Sequence, residues 1–353
     1  MYNSFASFGE FLMSVRNATV APHLPRDPRL GLQQRGTALG SSEKVPGDAG
    51  YLVGTDFAKA LVERMYGTGE ILSRCMEVPI SPNSNGYAFP QFNETSRANG
   101  SRMGGVQCYW EDEADTATAS RPTFAEGTLK ARKIIGLVYL TEELFLDCNA
   151  LEVFATAAFS KEMAFVLENA IINGNGAYRP LGVLNSPALL QVPAVGGQAA
   201  GTIIAQNVVD AWSRCWAPSR KTAVWVVNGE AEPQLLTLTI PVGTGGSVIE
   251  LYHPTEDPAT QPFATMLGCP VIPSEYSPVV GTVGDLMLCD FPRYIVGMKE
   301  AMATAVSVHV RFLSDEYAFR FEMRVDGQPI DRMPVTPANG TATTSSFVAI
   351  ASR

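Results

Sequence analysis

Residues 150–185 read "ALEVFATAAFSKEMAFVLENAIINGNGAYRPLGVLN", a long apolar run closed by a cluster of glycines. Leu151, Phe154, Ala158, Phe165, Leu167 and Ile171 fall at a spacing that predicts a helix over about 150–172, the longest in the chain. It is apolar enough to be a largely buried spine rather than a surface helix. The glycines that follow decide what kind of protein this is. A phosphate-cradling loop sets its glycines before a helix, where free N–H groups and the positive end of the helix dipole meet the anion. Here Gly174, Gly176 and Gly182 come after the helix, at the negative end, where glycine supplies the positive φ of a C-terminal cap. The lysine of a phosphate loop is missing, and Arg179 is the one cation of residues 173–185. Gly174, Gly176, Pro180 and Gly182 are therefore expected to form a structural turn, with Pro180 stiffening the exit.

Working back towards the N-terminus, Phe5, Phe8, Phe11, Leu12 and Val15 form one helical stripe, a short amphipathic helix that needs a partner surface. Residues 21–50 carry repeated prolines and glycines with little apolar periodicity, which describes an extended arm. A second helix is expected from about Gly54 to Tyr66, followed by the strand-like "CMEVPI". Residues 81–127 are rich in Asn, Gly, Ser and Thr, with "YAFPQF" and "VQCYWE" on either side of "NETSRANGSRMGG". That pattern predicts a two-stranded projection with too little apolar mass for its own core, stable only when laid on something. "TLKARKIIGLVYLT" then reads as a returning strand.

Beyond the glycine turn, "GTIIAQNVVDAWSRCWA" is an amphipathic helix, and Trp212 and Trp216 at a four-residue spacing read as core packing rather than a ligand box. "TAVWVVN" is a strand, "EAEPQLLTL" a helix, and "MLGCPVIPSEYSP" with "GDLMLCDFPRYIVGMKEAM" strand-rich, a mixed segment over roughly 186–296. "AVSVHVRF", "YAFRFEMRVDGQPI" and "SSFVAIAS" are strands that must pair with elements far earlier in the chain.

Composition narrows the function. The 353 residues can bury a substantial core, and 46% hydrophobic against 17% charged content suggests a surface partly covered by other protein. A net charge of −9 argues against tight non-specific nucleic-acid binding. Six cysteines without a C-x-x-C pair suggest neither a zinc ribbon nor a disulfide scaffold, so reduced, mostly buried thiols are expected. No apolar run approaches the roughly 20 residues that span a bilayer, and no signal peptide is visible, so a soluble intracellular protein is expected. His23, His253 and His309 each stand alone, no G-x-S-x-G elbow occurs, and neither a catalytic site, a metal site nor a cofactor is expected. "WEDEAD" gathers Trp110, Glu111, Asp112, Glu113 and Asp115 without calcium-loop spacing, and reads as a partner-facing acidic surface. Lys130 and Arg132, one alternation apart in a strand, are expected to form its basic counterpart on another subunit.

Taken in order, these segments resemble the HK97-type major capsid proteins of tailed bacteriophages over nearly the whole chain. "SFGEFLMSVRNA" is similar to that family's N-arm helix, and "PGDAGYLVGTDFAKALVERM", with Gly47, Gly50 and Val53, to the lead-in of its peripheral (P) domain. Glu168, Gly174, Gly176, Pro180, Gly182 and Leu184 match the end of the family's spine helix and its turn. "GCPVIPSEYSP", "GDLMLCDFPRYIVGMKEAM" and "FRFEMRVDGQPI" resemble its closing axial (A) domain and C-terminal P-domain strands.

The resemblance implies an α+β, HK97-like capsid fold divided as N-arm 1–50, P domain 51–80, E-loop 81–128, P domain with spine helix 129–185, A domain 186–296, and P-domain strands and tail 297–353. It further implies a structural subunit, not an enzyme, that assembles through hexamers and pentamers into an icosahedral shell around double-stranded DNA in the virion. Phe5, Phe8 and Phe11 would supply N-arm contacts, and scaffolding, portal and decoration proteins would be partners besides the chain itself. A cargo compartment of the encapsulin kind is the alternative with the same fold. Some relatives cross-link their shells through an E-loop lysine, but no lysine occurs between Lys59 and Lys130, so non-covalent contacts are expected. Some relatives also carry an N-terminal scaffolding segment; with the arm beginning almost at Met1, the scaffold is expected to be either a separate protein or a segment already lost, the former favoured.

Overall fold

The computed structural model describes residues 69–92 (except 82), 94–97, 102–110, 119–141, 148–242, 247–255, 263–299, 303–311 and 316–353, together with 13, 14, 16, 112 and 116. Phe5, Phe8, Phe11, most of the expected arm and the helix expected over 54–66 lie outside the described residues.

A strand β1 (Met76–Ile80) is followed by β2 (Gly86–Phe92), whose "YAFPQF" core was legible from its aromatic alternation. The partner of β2 is not "VQCYWE": residues 106–110 form no strand, and β2 pairs antiparallel with β3 (Phe124–Lys130), from Gly86 opposite Lys130 to Phe92 opposite Phe124. "TLKARKIIGLVYLT" is accordingly two strands, not one. It breaks at Ala131, whose N–H donates to the Asn85 carbonyl at 2.9 Å, and continues as β4 (Arg132–Thr141). No glycine or proline marks that break, because a single residue steps from one ladder to another.

The spine helix α1 (Cys148–Asn173) covers the range expected, with Met163, Ala164, Leu167, Ile171 and Ile172 buried. Burying side chains of this kind is worth about 1.5–3 kcal/mol for each large aliphatic group. After it come β5 (Leu189–Val192), α2 (Ala205–Arg214), β6 (Val224–Asn228), a short α3 (Glu232–Leu235), and a hairpin of β7 (Thr239–Val242) and β8 (Ser247–Glu250). The chain closes with β9 (Tyr252–His253), β10 (Thr265–Met266), β11 (Cys269–Ser274), β12 (Leu286–Cys289), β13 (Tyr294–Lys299), β14 (Ala303–Arg311), β15 (Glu316–Pro329) and β16 (Phe347–Ile350).

Two larger sheets organise these strands. In the five-stranded sheet β15 is long enough to carry β4 along one edge, and β14 and then β13 along the other, with β1 parallel to β13 at the end. The seven-stranded sheet runs β5-β16-β12-β6-β11-β10-β9. Two elements therefore cross the divisions expected from the sequence. Strand β13, in the five-stranded sheet, straddles residue 296, and β16, from the C-terminal tail, sits inside the sheet built by residues 189–289. "FVAI" at β16 is buried at every position, which suits a central strand covered on both faces.

One core lies between the sheets. It unites Leu167 and Ile171 of α1, Tyr294, Val296, Phe319, Phe321 and Met323 of the five-stranded sheet, and Val224, Val226, Met287, Phe347 and Ala349 of the seven-stranded one. The alternate residues Trp225, Val227, Leu286, Leu288, Val348 and Ile350 face a second core closed by Val208 and Ala211 of α2. A buried ion pair lies beside it, Arg353 Nη2 to Asp285 Oδ2 at 2.5 Å, with side chains 1% and 0% exposed. The Asp285 carboxylate also accepts the Gly281 and Leu286 N–H groups at 2.8 Å each.

Candidate assembly surfaces

The corner after α1 is built from backbone brought to close approach. Gly182 N–H donates to the Gly174 carbonyl at 2.8 Å, Gly176 N–H to the Pro180 carbonyl at 3.2 Å, and Leu181 N–H to the Gly327 carbonyl of β15 at 2.8 Å. The Asn185 amide adds bonds to the carbonyls of Asn173 and Gly174, satisfying helix-end groups that would otherwise be orphaned. Of the three glycines only Gly176 has a positive φ, +74°. Gly174 and Gly182 are required for a different reason than the cap expected from the sequence: space. A Cβ on Gly182 would lie 2.4 Å from Gly174 N and 2.6 Å from the Ile172 carbonyl oxygen, and one on Gly174 would lie 2.1 Å from the Pro180 oxygen.

Glu168 fixes the last turns of α1 to the segment before β1. Its carboxylate accepts the N–H groups of Ile71 at 2.7 Å and Leu72 at 3.0 Å. Burial raises its pKa above the ordinary carboxylate value, and these two donors and the Tyr276 hydroxyl oppose that rise.

The β2–β3 hairpin lies across the face of the five-stranded sheet opposite α1, where Phe89 and Leu129 pack on Ile295. Its root is tied by Lys130 N–H to Asp326 Oδ2 at 2.6 Å. Farther out, Met103, Tyr109 and Phe124 are exposed, Trp110 is fully so, and Asp112 is exposed beside it. Glu111, Glu113 and Asp115 lie outside the described residues. The basic pair expected to face this acidic run is not brought together as a patch. Lys130 is exposed, whereas the Arg132 guanidinium sits 5.3 Å from the Tyr178 ring centroid within the same chain.

A surface that the sequence reading passed over is the outer face of β4. Ile135, Leu137 and Tyr139 are 52%, 51% and 40% exposed, while Ile134 and Gly136 face the core, Gly136 against Phe159. The signal was present in "KIIGLVYLT", where both alternations are apolar, so a strand covered on only one side must show an apolar face to solvent. Lys133 and Arg320 flank the strip. Lys133 pairs with Glu322 at 2.9 Å, and although burial would raise the Glu322 pKa, Lys133 and Arg324 together hold it below the usual carboxylate value.

Chemistry-bearing groups are scattered. Among the described residues no three His, Cys, Asp or Glu side chains come together, and His253 is exposed on the short β9. The described cysteines are free thiols, and burial pushes that of Cys215 up to about 12. Among the described residues no helix is long and apolar enough to cross a membrane.

Comparison with known proteins agrees with this architecture. The profile of the phage capsid family matches residues 49–340. No curated protein matches the chain. Among solved structures, the capsid of an empty GTA particle aligns with a TM-score of 0.56 at 15% identity, covering 94% of this chain and 97% of that one. A chain of Mycobacterium phage Bobi aligns with a TM-score of 0.52 at 13% identity over 96% and 98% of the two chains, and one of Mycobacterium phage Cain with 0.53 at 13% over 80% and 90%. At such identities the likeness is one of fold, an α+β capsid fold of the HK97 type. With the family match spanning most of its length, the chain belongs to the phage capsid family and is a structural major capsid protein of the virion.

Proposed function

We propose that this capsid protein assembles through hexamers and pentamers into an icosahedral shell that encloses double-stranded DNA. In this reading the five-stranded sheet with α1 serves as the P domain, the seven-stranded sheet as the A domain, and the β2–β3 hairpin as the E-loop. Phe5, Phe8 and Phe11 make N-arm contacts, the corner at Gly174, Gly176, Pro180 and Gly182 keeps the brick rigid, and Trp110 with Glu111, Asp112, Glu113 and Asp115 reaches a neighbouring subunit. The observation that carries this reading is the apolar strip Ile135, Leu137 and Tyr139 beside Lys133 and Arg320, in a chain whose hairpin ends in exposed aromatics followed by acids. Lys130 remains a candidate for the basic side of that contact; Arg132, engaged with Tyr178, is the weaker one.

A net charge of −9 supports a shell wall that does not grip the packaged genome. Scaffolding and portal proteins are the partners such assembly would call on. The cargo-compartment alternative is not favoured, because the family matched is that of phage capsids. Electron microscopy of the expressed protein, alone and with its neighbouring gene products, tests the assembly, and nuclease-resistant DNA in the particles tests the content. Particles that hold a cargo protein and no DNA would overturn the reading, as would a chain that stays monomeric under every condition.

A further inference from the structure

The hairpin is attached at a second place beyond its root. Where β2 runs out, the Gln91 amide donates to the Ile330 carbonyl at 3.1 Å. A few residues on, Arg97 N–H donates to the Thr336 carbonyl at 2.9 Å, and Thr336 N–H to the Thr95 carbonyl at 3.1 Å, forming a parallel bridge between 96 and 336. Above this bridge two guanidinium groups meet one indole: Arg97 lies 4.9 Å and Arg293 5.4 Å from the Trp216 ring centroid.

Each arginine keeps its own carboxylate, Arg97 with Glu94 at 2.6 Å and Arg293 with Asp331 at 3.1 Å from Nε. The carboxylates thus hold the cations in place, and the indole is the shared surface. Trp216 follows the end of α2, and its backbone N–H donates to the Ser345 carbonyl at 2.9 Å, two residues before β16. The Ser346 hydroxyl donates to Asp331 at 2.6 Å. Arg293, in turn, is the residue before β13. The cluster therefore joins the hairpin to one strand of each large sheet.

We infer that Arg97, Trp216 and Arg293 form a releasable latch that sets the direction in which the β2–β3 hairpin projects and couples it to the seven-stranded sheet. Its physical character suits release. Arg97, Glu94, Arg293 and Asp331 are 30%, 16%, 35% and 22% exposed, so opening chiefly completes the hydration of charges that water already reaches. The root at Asp326, Phe89 and Leu129 stays closed and acts as the pivot. Only the consequence for shell geometry rests on the hairpin being an inter-subunit element; the latch itself is a property of the single chain.

Amide hydrogen exchange on the full-length chain tests it. In Arg97→Ala and in Trp216→Leu, amides 97 and 336 are expected to exchange about tenfold faster, while those of β6 and β16 keep their protection. Arg97→Lys, which keeps the cation but loses the planar stack, is expected to fall between. Unchanged exchange at 97 and 336 in Arg97→Ala would overturn the latch. So would equal loss of protection in β6 and β16, which would mark a plain stability role. Should Trp216→Leu fail to fold, the part-exposed Arg97→Ala decides alone. The readout does not require assembly, so failure of the shell reading and failure of the latch remain distinguishable.

Discussion

The two large sheets of this protein are finished to different degrees. The seven-stranded sheet is covered on both faces by its own chain: Val224, Val226 and Met287 face the shared core, and Trp225, Val227 and Leu288 face α2. The five-stranded sheet is covered on one face by α1, and on the other only where the hairpin lays Phe89 and Leu129 on Ile295. Along β4 the second face shows Ile135, Leu137 and Tyr139 to solvent. Apolar area left on a folded domain is a binding surface or an aggregation hazard. In the proposed shell the half-covered sheet is the side offered to a further copy, whereas the doubly covered sheet buries its apolar faces within the chain.

The largest loss is expected at the corner that joins α1 to the strands after it. Gly182→Val places its branched carbons inside a 2.4–2.6 Å space bounded by backbone, which cannot move as a side-chain tip can. The bonds from Gly182 to Gly174 and from Leu181 to Gly327 would have to open. A loss of about 4 kcal/mol or more is expected, near the limit for a single substitution. Insoluble protein, or a steeply lowered melting temperature, is the expected measurement; well-formed particles from this variant would show that the close approach at the corner is not required.

Within the doubly covered sheet, Asp285→Ala leaves Arg353 charged, buried and without its counter-ion. Breaking such a pair costs roughly 3–5 kcal/mol, because the stranded charge has no route to water. Its bond to the Thr202 carbonyl survives but does not neutralise it. Thermal melts should show a large drop in Asp285→Ala and a smaller one in Asp285→Ala/Arg353→Met, since the double variant buries no charge.

The parts that could be read in the sequence are those whose signal is local. The spine helix is carried by its own periodicity, and the turn after it by Gly174, Gly176, Pro180 and Gly182. The reason for those glycines was only half legible: positive φ belongs to Gly176, while the need for space at Gly174 and Gly182 arises from Pro180, Ile172 and each other, across the turn. The pairing of β2 with β3 depends on Ala131 bonding to Asn85, a long-range choice that no residue type announces. Strand β16 enters a sheet begun more than a hundred residues earlier for the same kind of reason. The outer face of β4 was visible as a doubly apolar strand in "KIIGLVYLT", but that segment was read only as a returning strand. Trp216, expected beside Trp212 in the core, lies past the end of α2 and meets arginines instead.

A smaller effect is expected at the joint between α1 and the segment before β1. The pKa of Glu168 is raised on folding, so the folded chain holds that proton more readily than the unfolded one. Its contribution is therefore fullest below the ordinary carboxylate pKa of 4.5, and is lost as pH rises from there through the raised value. Glu168→Gln keeps an acceptor for Ile71 and Leu72 but cannot ionise. The variant is expected to lie within about 1–2 kcal/mol of the parent at neutral pH and to show a flatter rise of stability on mild acidification. Melting temperatures measured from pH 7 down to 4.5 check the slope; parallel curves would show that Glu168 is not the titrating group.

The smallest effect on stability should accompany the clearest effect on assembly. Leu137→Glu puts a charge where the side chain is already half in water, so the folded subunit should change by no more than about 0.5 kcal/mol. A second copy docking on that strip would have to desolvate the carboxylate together with Arg320 opposite it, a cost that Leu137 does not impose. Subunits that melt as the parent does but no longer form particles are the expected outcome, with Ile135→Glu behaving alike. The control is Arg320→Ala, which shares the face of Leu137 across the ladder but removes no apolar contact; it should slow assembly, and mainly at low salt, because an exposed charge steers encounter more than it holds the complex. If Leu137→Glu assembles as well as the parent, the half-covered sheet is not the joining surface.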